Sequence, residues 1–239
     1  MLARALLLLI ALPAFAATTY EIRKQTSVTD AFTVFADGGR IRVDQAVRDD
    51  DAILYTSLLW TGGPKAIALN ARNATWYELS PQPLALKSHY LSPYGGEGTV
   101  KNLKWTMSET NGTYTARLTY EIIGRLHGER VKVHHGADYV IETTDQYPRA
   151  LWLGRIFGDT KVPEVDAQLA AADPTITRFP TRMTLTATRR YEGGAAMTDV
   201  VTIETRDLRE TKADASKFVR PAEYRQQEPQ IAVPGVMSR

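Results

Sequence analysis

The chain reads as a mainly β protein: an antiparallel meander of about a dozen strands that curls into a barrel or half-barrel, with two short helices against it. Three observations predict this. Tyr114, Ala116, Leu118, Tyr120 and Ile122 alternate with Thr113, Thr115, Arg117, Thr119 and Glu121, a sustained period of two. Turn residues separate such runs at Asp37-Gly38-Gly39, Asn111-Gly112, His135-Gly136-Ala137 and Glu192-Gly193-Gly194, which makes successive hairpins. Two segments alone break the pattern, 82–94 and 163–172, and both read as short helices.

In chain order the strands fall at 19–26, 30–37, 40–46, 52–59, 65–70 and 74–79. Leu103, Trp105 and Met107 then alternate with Lys104, Thr106 and Ser108. After the run at 113–122 come 129–135 and 138–144, with a turn expected between them at Gly136. Met183, Leu185 and Ala187 alternate with threonines, and 197–206 follows. Leu84, Leu86, Tyr90 and Leu91 give 82–94 a helical spacing, closed by Pro93 and Gly95-Gly96. Pro163 suits a first helical turn, the next residues are alanine-rich, and Asp173-Pro174 ends the run. One domain over 17–225 accounts for these elements, with a fraying tail from Gln226.

The first residues have the three parts of an export signal. Arg4 supplies a basic start, Ala5–Leu12 is apolar, and Ala14-Phe15-Ala16 is a small-x-small cleavage site. The apolar run is far shorter than the roughly 20 residues of a membrane span. The expectation is therefore a signal peptide over 1–16 and a soluble product of about 220 residues in the bacterial periplasm. The sequence has no cysteine, which excludes disulfides, thiolate chemistry and the acylated cysteine of a lipoprotein. Net charge is +2, with the signs interspersed, so nucleic acid is not an expected partner.

Catalytic patterns are missing. The chain contains neither Gly-x-Ser-x-Gly nor Ser-x-x-Lys, the strand-to-helix nucleophile signatures. Its four histidines include the adjacent pair His134 and His135, whose side chains leave a strand on opposite faces. They cannot share a zinc ion, which needs three converging ligands. Asp49-Asp50-Asp51 lacks the spacing of a calcium loop and reads as a solvated corner. No enzyme, cofactor or metal is expected.

The aromatic residues are more informative. Trp60, Trp76, Tyr77, Trp105, Tyr114 and Tyr120 all sit on expected strands. Such rings either pack a core or line a cavity that is apolar inside and wet at its rim. Arg40 and Arg42 share one face of their strand. They are either surface partners or contacts for an anionic head group. In the hairpin "GGPKAIALNARNATWYELSPQP" (Gly62 to Pro83), Ile67 and Leu69 share one side and Ala66 and Ala68 the other. Tyr77 and Trp76 likewise oppose each other. Neither side is cleanly polar, so something covers both; the segment next in the chain, 83–94, is the expected cover.

Several phrases together resemble a known group. "GGRIRVD" (Gly38 to Asp44) is followed by "LLWTGGPKAIALNARNATWYEL" (Leu58 to Leu79), a short helical stretch, and a late "KADASKFVRPAEY" (Lys212 to Tyr224). This order resembles the periplasmic lipoprotein-carrier-like superfamily, the proteins built like LolA and LolB, and the exported domains grouped with them. The resemblance covers 18–80 and 180–225; Phe218, Pro221 and Tyr224 stand in its closing phrase. It implies an open half-barrel whose concave apolar face is covered by short helices. The chain lacks the arginine-proline start of the carriers' third strand and carries a long middle section. The expected function is non-catalytic binding or carriage of a lipid-like or other apolar ligand by a monomer. The cavity candidates are Trp60, Trp76, Tyr77, Leu84, Tyr90, Trp105, Tyr120 and Arg42. The alternative is a structural or interaction module of the cell envelope, with a filled core and a protein partner.

Overall fold

The computed structural model describes residues 17–25, 29–37, 39–45, 56–61, 65–79, 98–126, 129–152, 156–158 and 160–227. The expected signal, the expected helix at 82–94 and the Asp49–Asp51 corner lie outside them.

Twelve strands form one open sheet. A first meander runs through β1 (Ala17–Gln25), β2 (Thr29–Asp37), β3 (Arg40–Gln45), β4 (Ser57–Trp60), β5 (Ala66–Asn70) and β6 (Thr75–Leu79). A second runs through β7 (Thr99–Thr110), β8 (Thr113–Leu126), β9 (Glu129–Pro148), β10 (Arg178–Tyr191) and β11 (Ala196–Thr211). The two join where β1 pairs antiparallel with β11. The sheet does not close: β7 is one edge, and at the other the short β12 (Arg225–Gln226) pairs in parallel with β6. The expected open architecture of about a dozen strands is therefore present.

Local chemistry explains the turns. Asn111 and Gly112 both take positive φ, 51° and 80°, the pair of left-handed residues that a tight hairpin turn requires. Gly136 does something else. It lies inside β9, a single strand of 20 residues, so the expected turn there is absent. A Cβ on Gly136 would lie 2.6 Å from Thr188 Oγ1. The glycine lets the neighbouring strand's side chain lean across the backbone, a use of glycine that sequence alone does not separate from a turn.

The helix α1 (Pro163–Ala172) occupies the expected residues. Pro163 begins it, Glu164 and Asp166 sit in its first turn, and a 3₁₀ turn over Asp173–Thr175 ends it. Acidic groups there oppose the positive end of the helix dipole. Val165, Leu169 and Ala172 are buried against the sheet. Together, the described residues of 149–152, 156–158 and 160–176 form a plug over one face.

Register assigns that face. Ile22, Val34, Val43, Leu58 and Ala68 lie on it in the first meander; Met183, Leu185, Tyr139, Ile141, Leu118 and Ala116 continue it in the second. All are buried. We call it the core face and its opposite the back face. The back of β8–β11 alternates sharply, with Thr184, Thr186 and Thr188 partly exposed and Val200 53% exposed, as for a sheet wetted on one side.

The back of β2–β6 is different. The segment after β11, Lys212–Gln227, crosses it as a strap. Arg42 Nη1 donates to the Lys217 carbonyl at 3.0 Å. The Arg40 guanidinium lies 4.8 Å from the Phe218 ring, Lys217 Nζ 3.6 Å from Phe35, and the Arg220 guanidinium 4.4 Å from Trp76. These are cation–π contacts. The Gln227 N–H donates to Trp76 O at 2.8 Å, so the paired chain continues past the point where fraying was expected. Leu59 and Leu69, which also face backwards, are buried. This is why the back of the hairpin around Trp76 is not polar: the strap covers it.

Candidate ligand-binding faces

Of the eight residues singled out in the sequence, four lie on the core face. Trp60 pairs across the ladder with Ile41 and Ala66, and Tyr77 with Ala68. Both are half-buried and packed on the main core. Trp105 and Tyr120 lie on the same face of the second meander. Trp76 and Arg42 lie on the back face, beneath the strap. Leu84 and Tyr90 lie outside the described residues. The candidates therefore do not form one constellation. Strand parity separates Trp76 from Tyr77, and the sequence already carried that separation.

Trp105 is packed by the plug, whereas Tyr120 stacks on His135 of β9. Phe157, 0% exposed, meets Trp105 at 5.3 Å and Tyr139 at 5.0 Å, both edge to face. Trp152 meets Phe179 at 5.8 Å, and Tyr20 donates its hydroxyl to the Leu151 carbonyl at 2.6 Å. Asp173 holds the plug's start and end together. Its carboxylate accepts from the Ile156 and Phe157 N–H groups and from Arg149 Nη2 at 3.3 Å. Over β7–β10 and β1 the core face is thus filled by rings and a short helix.

A polar group is buried within this filled half. His135 stacks on Tyr120 at 4.7 Å and an interplanar angle of 6°. It is 5% exposed, and neither ring nitrogen has a hydrogen-bond partner. Tyr139 Oη is also buried without a partner. Burial, with Arg189 and His134 adding positive charge, pushes His135 down to about 4. Burial raises Tyr120 and Tyr139 above the ordinary tyrosine value. His134, on the opposite face, lies 3.1 Å from Glu121, whose pKa is lowered by Lys132 first of all. The cluster is an aromatic layer with neutral polar tips. Among the described residues no three His, Cys, Asp or Glu side chains converge as metal ligands.

No protein-family model matches the chain, and no curated protein matches it.

The geometry divides the core face. Under the first meander, Phe32, Ile41, Trp60 and Tyr77 are partly exposed apolar side chains over a buried floor of Val34, Val43, Leu58 and Ala68. Residue type on the expected strands singled out Trp60 and Tyr77 of this row. It did not find the plug's aromatic anchors, Trp152 and Phe157, because they sit in irregular chain with no period to read.

The buried imidazole has a measurable consequence. Unfolded, His135 takes up a proton near pH 6.5; folded, it does so only near 4. Between these values the unfolded state binds more protons, so stability falls as the pH drops through that window and levels off below it. For one group the slope reaches at most about 1.4 kcal/mol per pH unit. Urea titrations between pH 7 and 4 are expected to show a shallower dependence for His135→Phe, which keeps the stack on Tyr120 and cannot titrate.

Proposed function

We propose that this is an exported, non-catalytic protein that binds or carries a lipid-like or other apolar ligand on the core face of β2–β6. The carrying observation is the row Phe32, Ile41, Trp60 and Tyr77, half-exposed above a buried apolar floor. The ligand would gain roughly 0.8 kcal/mol per buried methylene. A chain of about ten carbons then binds usefully without any catalytic group. The open sheet and the likeness of its motifs to the lipoprotein-carrier-like proteins support the same reading. Export is supported by the order of basic, apolar and small residues at 1–16. Among the described residues no helix is long and apolar enough to cross a membrane.

The test is native mass spectrometry of the mature protein purified from its host, followed by lipid extraction and titration with a fluorescent fatty acid. A co-purifying apolar ligand is expected, together with about tenfold weaker fatty-acid binding in Trp60→Ala, the equivalent of about 1.4 kcal/mol. A protein that is always empty and binds no fatty acid would overturn the proposal. The filled face beneath Phe157 and Trp152 favours a second reading, a structural or interaction module of the cell envelope. That reading expects an empty protein that retains an envelope partner on purification.

A further inference from the structure

The back face holds a site of a different kind. Thr19 is in register with Arg209 on one side and Phe35 on the other, so these three stand in a row across β11, β1 and β2. The chain leaves β11 at Thr211, rises, and returns to the sheet with Phe218 packed against Arg40. Between this arch and the strands lies a cleft of about 700 Å³. That is within the roughly 300–1,000 Å³ of small-molecule sites.

Its lining is amphipathic. The rings of Phe35 and Phe218 form apolar walls, and Arg209, Lys212 and Lys217 bring positive charge. Lys217 is seated over Phe35. Arg209 and Lys212 have no acidic partner among the described residues. Nearby cations differ: Arg206 is held by Glu204 and Arg23 by Glu21. The one carboxylate in the lining, Asp214, is already engaged. It accepts from the Ser216 N–H at 3.1 Å and the Ser216 hydroxyl at 2.6 Å, capping the 3₁₀ turn at Ala215–Phe218. The cleft thus pairs two aromatic walls with a net positive charge, three cations against one carboxylate. Guanidinium and ammonium groups in this setting suit a carboxylate or phosphate oxyanion, and the rings suit a hydrocarbon tail.

We propose that the arch cleft binds an amphipathic anion with one apolar tail. Its carboxylate or phosphate head meets Arg209 and Lys212, and its tail lies between Phe35 and Phe218. This site is on the opposite face of the sheet from the apolar row around Trp60, so it stands or falls separately from the proposed function.

Calorimetric titration of the mature protein tests it, with dodecyl phosphate and dodecanoate kept below micelle formation. Inorganic phosphate and neutral dodecyl maltoside are the control arms. Both anionic amphiphiles are expected to bind, and the controls at least about tenfold more weakly. Arg209→Gln/Lys212→Gln alters two exposed side chains and is expected to weaken dodecyl phosphate at least about tenfold. Phe35→Leu is expected to weaken it as well, and Trp60→Ala to leave it unchanged. The proposal is overturned by an absence of binding, by a maltoside that binds as tightly as the anions, by inorganic phosphate that matches dodecyl phosphate, or by a double variant that binds like the parent. Loss of binding in Trp60→Ala would move the anion to the core face and overturn it equally.

Discussion

Replacing Phe157 by alanine is expected to cost about 3–5 kcal/mol of folding stability. The ring is fully buried and contacts Trp105 and Tyr139 edge to face. Its removal loses transfer free energy and leaves a cavity that rigid neighbours cannot close. Trp105 belongs to β7 and Tyr139 to β9, while Phe157 belongs to the plug, so the side chain ties irregular chain to two non-adjacent strands. A urea midpoint lowered at unchanged slope would report this as lost native stability. Phe157→Leu is expected to lose less than half as much, because it keeps most of the volume. A loss below about 1 kcal/mol for the alanine variant would mean that the plug is not anchored where this geometry places it.

Asp173→Ala is expected to cost about 3 kcal/mol, and Asp173→Asn distinctly less. The carboxylate binds two backbone N–H groups of the plug and the guanidinium of Arg149. Both side chains are largely shielded, 15% and 20% exposed. Alanine leaves two backbone donors and a shielded cation without their acceptor, and an unsatisfied partner costs more than the bond itself contributes. Asparagine keeps one carbonyl oxygen for the N–H groups and loses the charge alone. Equal losses for the two variants would show that the ion pair, rather than the backbone clasp, holds the segment. Adding Arg149→Met to Asp173→Asn separates the terms, since it removes the guanidinium that has lost its carboxylate.

Much of this was legible in the sequence, for a physical reason. Where one face of the sheet meets water, the two-residue period is sharp, and β8 and β10 were placed from it. Where both faces are covered, the period blurs. The hairpin of Ala66–Leu79 was still found, through its turn residues, but the strap behind it was not. The strap that covers Trp76 comes from about 140 residues further along the chain, a separation no local pattern encodes. Gly136 misled for a related reason. A glycine chosen for a cross-strand approach and one chosen for a turn look alike until the neighbour, here Thr188, is known. For the site, residue type located the rings at Trp60, Tyr77, Trp105 and Tyr120. Which of them stay accessible depended on Phe157 and Trp152, whose positions follow from tertiary packing.

The joining of β1 to β11 bears on how the molecule is assembled. Strands adjacent at the centre of the sheet, Ile22 beside Thr205 for example, are separated by nearly the whole described chain, whereas every other antiparallel pairing is between consecutive strands. Each meander can therefore form from connections between consecutive strands, whose closure entropy is small beside that of the seam, even across the plug between β9 and β10. The seam between them must wait for the last long strand to be made. Until then β1 is an open edge, able to recruit foreign strands. The slow step of folding is accordingly expected at this seam. A substitution that weakens Ile22 or Ile203 there, both buried in the core, should lower the yield of native protein more than its equilibrium cost implies.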